Sequence, residues 1–297
     1  MFSQRAFIQI LLMLVSALGL CACAPLVKPE PTFTPTATFT PAPPTATPEP
    51  LALAVNGEGI TMVEFDAEVA RYTKAQEALG KAIASADATS AVIEDLTAQL
   101  LLAQGAHANA FTLDDAGLQA RIDTLTAQIG GADNLSRWES DHGYSEQTFR
   151  SALRRAAESA WMRDKIVAEV PSTVEQVHVQ QILLYNEDKA QSFLRQLNGG
   201  ADFDELALRA DPLTRGDLGW VPRGYLLDKN VEDAAFLLPV GEHSEVIATN
   251  AGFHIIKVLA HEERPLSPDA LLVLQDLALK SWIEQQRQQA HIVLAPP

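Results

Sequence analysis

Cysteine occurs only as Cys21 and Cys23, close to the start of the chain, so the 274 residues that follow hold no thiol with which to form a disulfide. Basic residues are scarce as well. Lys and Arg number 22 against 38 Asp and Glu, a formal net charge of −16, and no basic cluster or interleaving of basic with aromatic residues is present to neutralise phosphates. Nucleic acid is therefore excluded as the expected partner. Long apolar runs are also missing: the stretch Ala6 to Leu20 falls short of the ~20 residues that comfortably span a bilayer. Metal-ligand spacing is absent around His107 and His142, neither of which has a second ligand at i+3 or i+4, so both are expected to be surface or packing histidines. What is present suffices for a core. The chain is 47% hydrophobic over 297 residues, a length that accommodates about two domains.

Residues 1–24 have the pattern of a secretory leader, with Arg5 as the positive n-region ahead of the apolar run. Where it ends, Leu20-Cys21-Ala22-Cys23 resembles a bacterial lipobox, with an aliphatic residue three before and a small residue directly before the cysteine to be lipidated. Cys23 fits that spacing, whereas Cys21 follows bulky Leu20. The resemblance implies an extracytoplasmic lipoprotein held at the cell membrane by lipid on Cys23. From Pro25 to Pro50 the chain has nine prolines and seven threonines, too little apolar material to bury. As an extended arm it reaches roughly 80 Å at ~3.1 Å per residue, and the composition is equally compatible with a disordered spacer of no required length.

Residues 51–171 have helical character after a short hairpin. Leu51 to Val55, Asn56-Gly57 and Glu58 to Ile60 form a hairpin signal, and Thr61 with Glu64 has capping-box spacing for a helix entering at Met62. Val92, Ile93, Leu96, Leu100 and Leu101 make a helical stripe over Ser90 to Ala108. A third helix is expected from Thr112, spaced for capping with Asp115, to Gly130-Gly131. A short one follows around Leu135 to Trp138, and the last runs from Ser145 towards Pro171. This order resembles the chaperone domain of the SurA and PrsA families of envelope foldases, which implies a cradle for unfolded clients and no catalytic residue.

Residues 172–263 have a different pattern. In order come a strand Val177 to Leu184, a helix from about Glu187 to Leu197, a second helix from Phe203, and the acidic Asp211. The turn Gly216-Asp217-Leu218-Gly219-Trp220, the amphipathic Glu232 to Phe236, the turn Pro239 to Glu242 and the strand Gly252 to Lys257 complete the series. Together they resemble a parvulin-type (PpiC-like) peptidyl-prolyl cis/trans isomerase, which implies an antiparallel sheet flanked by helices. Such an enzyme makes and breaks no bond. It lowers the barrier to rotation about an amide with partial double-bond character, using an apolar grip on the proline ring and preorganised hydrogen-bonding groups, with neither metal nor cofactor.

The resemblance places Asp211 and His254 at catalytic positions and puts Gln181 where the family has its first histidine. His178 cannot substitute for that histidine, because residues three apart on a strand point to opposite faces. Gln181 still donates and accepts hydrogen bonds but cannot carry charge. Leu218, Leu226 or Leu227, Thr249 and Phe253 fall at substrate-binding positions, with Val231 in a slot usually filled by Phe. Only Pro212 to Arg215 separate Asp211 from Gly216, fewer residues than the family usually has.

Ser267-Pro268 opens a further helix that runs to about Gln289, with Leu271, Leu274, Ala278 and Trp282 on one side and Leu272, Leu279 and Ile283 on another. Ala290 to Leu294 is a candidate strand for pairing with Leu51 to Val55. The expected whole is an α+β chain in which residues 264–297 return to complete a helical domain, with the parvulin-like domain inserted. Its expected function is that of an extracytoplasmic foldase that isomerises X-Pro bonds and binds unfolded or proline-containing polypeptides. The alternative is a holding chaperone with a degenerate isomerase domain as a binding module. Mass spectrometry of the membrane-extracted protein should show a mature chain beginning at lipid-bearing Cys23; a start elsewhere with a free Cys23 thiol would contradict the lipobox assignment.

Overall fold

The computed structural model describes residues 49–226 and 228–295; the leader, Cys23 and all but the end of the Pro/Thr-rich stretch lie outside these residues. Among the described residues no helix is long and apolar enough to cross a membrane.

Strands β1 (Leu51–Val55) and β2 (Glu58–Thr61) form the hairpin, turning through Asn56 and Gly57 at φ 53° and 88°. Positive φ at both central residues matches the right-handed twist of the strands, which is why Asn-Gly is favoured there. Helix α1 (Met62–Ala78) starts at Thr61, whose hydroxyl accepts from the Glu64 amide at 3.2 Å. Helices α2 (Ser85–Ala108), α3 (Asp115–Ile129), α4 (Ala132–Asp141) and α5 (Glu146–Ala168) follow. Ser145 caps α5 in a full capping box with Thr148. The cap of α3 is Asp114 instead of Thr112. The Leu113 amide is already taken by the buried Glu158 carboxylate at 2.9 Å, so the chain stays extended through Leu113 and enters the helix two residues later.

The second part begins at β3 (Thr173–Leu184) and continues through α6 (Glu187–Asn198), α7 (Phe203–Ala210), β4 (Asp217–Pro222), α8 (Lys229–Leu237), β5 (Ile247–Thr249) and β6 (Gly252–Pro265). Its four strands are antiparallel in the order β4-β3-β6-β5. One face packs Ile182, Leu184 and Ile255 against Phe193, Leu194 and Leu206 of α6 and α7. The other packs Val177, Val179 and Ile256 against Val231, Ala235 and Phe236 of α8.

Helix α9 (Pro268–Gln289), capped by Ser267 with Pro268 in its first turn, carries the chain back to the helices, and β7 (Ile292–Leu294) pairs antiparallel with β1, Val55 opposite Ile292. The small sheet β2-β1-β7 is thus built from both ends of the described chain. Trp282 and Ile283 of α9 join Val92, Leu96 and Leu100 in one cluster and Met162 and Ile166 in another. Gly105 is needed on α2 because a Cβ there would lie 2.6 Å from the Trp282 ring. The apolar stripe of α9 is narrower than the sequence implied: Leu272 stays 64% exposed, since the contacts to α2 and α5 come from the Ala278, Leu279 and Trp282 side.

Deleting residues 265–297 would strip β7 from β1 and Trp282 from its two clusters. Amide protection in β1 and α2 should then fall well before that in β3 and β6, as read by hydrogen exchange; equal loss in both parts would count against this closure.

Candidate active site

The long pairing of β3 with β6 sets Gln181 opposite Ile256 and Leu183 opposite His254. Because side chains alternate along each strand, Gln181 and His254 emerge on the α8 side of the sheet, while Ile182 and Phe253 emerge on the α6 and α7 side. His254 Nδ1 lies 3.0 Å from Gln181 Oε1, and its Nε2 lies 3.0 Å from Thr249 Oγ1 at the end of β5. An amide oxygen only accepts, so Nδ1 carries the proton and donates to Gln181, while Nε2 faces the Thr249 hydroxyl, which also lies 3.3 Å from the Gly252 carbonyl. The three side chains form one hydrogen-bonded chain around a neutral imidazole. Burial lowers the His254 pKa from its ordinary value, with the Asp228 carboxylate pulling weakly the other way.

The backbone beneath Gln181 depends on Gly216. The Gln181 N–H donates to the Gly216 carbonyl at 2.8 Å, and a Cβ on Gly216 would fall 1.8 Å from the Gln181 oxygen. With φ at 68° as well, the position tolerates no side chain, which is the physical reason for the first glycine of the turn.

Asp211 caps the end of α7 and turns onto its own loop. Its carboxylate accepts from the Thr214 hydroxyl and from the amides of Leu213 and Thr214 at 3.0 and 3.2 Å. These bonds, that from the Thr214 hydroxyl foremost, hold its pKa below the usual carboxylate range. Among the described residues no hydrogen bond joins Asp211 to Gln181 or His254; the four-residue Pro212 to Arg215 loop closes the carboxylate into a local turn. His178 lies across the sheet from Gln181, bonded to Asp217 at 2.9 Å and stacked on Trp220 at 5.2 Å.

Leu218, Leu226 and Val231 gather in the apolar cluster on the His254 side, where Val231 is 5% exposed and forms floor instead of offering a ring. Thr249 is bonded to His254 as described. Phe253 does not join them. It neighbours His254 in the chain, points through the opposite face and packs with the cluster of Leu184 and Phe193, so its expected place in the pocket is corrected here. Leu227 lies outside the described residues.

Two carboxylates escaped the sequence reading. Glu232, only 8% exposed, accepts the amides of Gly224 at 2.8 Å and Leu226 at 3.2 Å, holding the loop that carries Leu226. Asp228 caps α8 through the amides of Asn230 and Val231 and supplies the negative charge near His254. An Asp three residues ahead of a helical Val is a readable cap signal. Nothing in the pattern marks Glu232 as turned inward.

Residues 165–262 match the PPIC-type PPIASE domain family, so the chain carries a peptidyl-prolyl isomerase domain of the PpiC, or parvulin, type. Its relatives include Foldase protein PrsA of Geobacillus sp. (strain WCH70), 39% identical over 93 residues, which are 30% of this chain and 33% of that protein. Foldase protein PrsA of Clostridium kluyveri (strain NBRC 12016) is 23% identical over 292 residues, covering 81% of this chain and 84% of the relative. The match to the Geobacillus relative spans about a third of that relative's length. A solved structure of peptidylprolyl isomerase (PrsA) from Bacillus anthracis is 19% identical, with a TM-score of 0.42, over 66% of this chain and 95% of that one.

A lowered His254 pKa fixes the sign of a pH effect. Above the ordinary histidine value of about 6.5 both folded and unfolded states hold this imidazole neutral; below it the unfolded chain takes up a proton that the folded site resists. The contribution of this group to stability is therefore complete above pH ~6.5 and is lost as the pH falls from there to the folded value. NMR titration should place the His254 ring below the ordinary histidine value. A midpoint at or above about 6.5 would contradict the buried neutral tautomer.

Proposed function

We propose that the chain is an extracytoplasmic foldase, anchored by lipid on Cys23, that isomerises X-Pro bonds in unfolded or proline-containing polypeptide clients. The observation that carries the catalytic part is the neutral Gln181–His254–Thr249 chain beside the apolar cluster of Leu218, Leu226 and Val231. Rotation of a prolyl amide passes through a twisted state in which nitrogen and carbonyl lose conjugation and the C–O dipole shrinks. A desolvated, uncharged site favours that state over the polar planar amide, and apolar side chains hold the ring while the carbonyl turns. Gln181 Nε2 makes no hydrogen bond among the described residues, which leaves an N–H donor for the client backbone. Thr249 and His254 hold Gln181 in place, and the 211–216 loop backs onto the same residue through Gly216, so Asp211 acts by shaping that loop. The helical part and α9 would receive the unfolded client.

A second reading, a holding chaperone whose isomerase domain only binds, is favoured by Gln181 in place of an imidazole, by the sunken Val231 and by the self-contained Asp211 turn. An isomerisation assay on proline peptides separates the two. The wild-type chain should exceed the uncatalysed rate. His254→Ala should lower kcat/KM by about 10-fold, or ~1.4 kcal/mol of barrier, and Asp211→Ala by less. Gln181→His should raise it. Background activity in the wild type, no gain from Gln181→His and undiminished suppression of client aggregation would establish the holding chaperone instead.

A further inference from the structure

Residues 223–226 border the apolar cluster of Leu218, Leu226 and Val231, and they are held from two sides by parts of the chain far apart in sequence. From inside the isomerase domain, the Glu232 carboxylate takes the Gly224 and Leu226 amides at 2.8 and 3.2 Å, and the Arg223 guanidinium lies 4.0 Å from the centre of the Phe236 ring. From outside, α9 presses on Gly224. A Cβ at that residue would sit 2.7 Å from Leu277 Cδ2 and 3.4 Å from Leu274 Cδ2, and its φ is 85°. Glycine is thus required both by the backbone conformation and by the closeness of the leucines. Leu277 is 46% exposed, so it contributes little to the core of the helices and makes its contact at this rim.

We propose that Glu232, Leu274 and Leu277 are positioning residues for the isomerase site, the two leucines making the pocket rim dependent on the C-terminal helix. The proposal rests on the isomerase reading above and adds to it a coupling between the two parts of the fold. Glu232 satisfies two rim amides that a loop without it would leave to water, and the leucines block outward movement of Gly224. Together they set where Leu226 meets the proline ring. A displaced rim weakens the grip on substrate more than it alters the hydrogen-bonded chain at His254, so the effect belongs in KM more than in kcat.

The test uses the full chain and four proteins: wild type, Leu274→Ala/Leu277→Ala, Glu232→Ala and Glu232→Gln. Two readouts are taken, steady-state isomerisation of a proline peptide and residue-resolved hydrogen exchange. The double leucine variant should raise KM about 3-fold and Glu232→Ala about 10-fold, each with a smaller change in kcat, and Glu232→Gln, which keeps an acceptor oxygen, should recover to within about 3-fold of wild type. In the leucine variant the Gly224 and Leu226 amides should exchange faster while β3 and β6 keep their protection. Unchanged exchange at Gly224 and Leu226 in that variant would overturn the proposal, and so would loss of protection spreading equally through β3 and β6. Should Glu232→Ala fail to fold, the leucine variant decides. An inactive wild type would remove the isomerase reading while exchange at the rim still decided whether α9 holds it.

Discussion

The antiparallel pairing of β3 with β6, unbroken in direction from Thr173 opposite Pro265 to Leu184 opposite Phe253, is the constraint on which the site depends. It fixes which side chains share a face. A slip of one residue in either strand would send Gln181 or His254 through to the α6 and α7 side and dissolve their hydrogen bond. The register is held by full burial of Val177, Val179 and Ile256 on one face and of Ile182 and Ile255 on the other. It is held also by the close approach of Gly216 to the Gln181 backbone and of Gly252 to the Leu184 carbonyl, where an added Cβ would lie 2.7 Å away. Packing and backbone contact therefore place a neutral imidazole between an amide and a hydroxyl, in a setting suited to a reaction that moves no charge.

The helical part depends on closure of a different kind. Strand β7 completes the sheet begun by β1, Asn56 exchanges hydrogen bonds with His291 across the turn, and α9 lays Trp282 against Gly105. Two carboxylates enclosed there are paired: Glu64 meets Arg155 at 2.6 Å, and Glu158 takes both the Leu113 amide and His107 at 2.9 Å. A buried carboxylate left unpaired would be costly, so these contacts fix how α5 sits against α1 and α2. Because α9 also touches Gly224, the element that closes the helices meets the loop held by Glu232.

Most of the architecture was legible in the chain itself. Asn56-Gly57 announced its hairpin and Ser145 and Ser267 their helices. The apolar Ile292 and Val293 announced a strand for β1, because each of these signals acts locally through φ, capping or alternation. The fate of the site residues was less legible. Alternation along β6 alone separates Phe253 from His254, a consequence available from the sequence once the strand was recognised. The inward turn of Glu232 and the closed turn at Asp211 depend on where neighbouring backbone amides lie, and those are set by tertiary packing. The Thr112 cap failed for a similar reason, since a carboxylate from α5, 45 residues away in sequence, had claimed the Leu113 amide.

The central claim is that the Gln181–His254–Thr249 face turns prolyl bonds instead of only holding them. Two-dimensional exchange NMR on a proline peptide, with the full chain at catalytic concentration, observes binding and rotation in one sample. The account predicts cis–trans exchange cross-peaks at mixing times of about a second or less, far shorter than the tens to hundreds of seconds of the uncatalysed bond, and their disappearance with His254→Ala. Peptide resonances that shift on binding without any exchange cross-peak would contradict it.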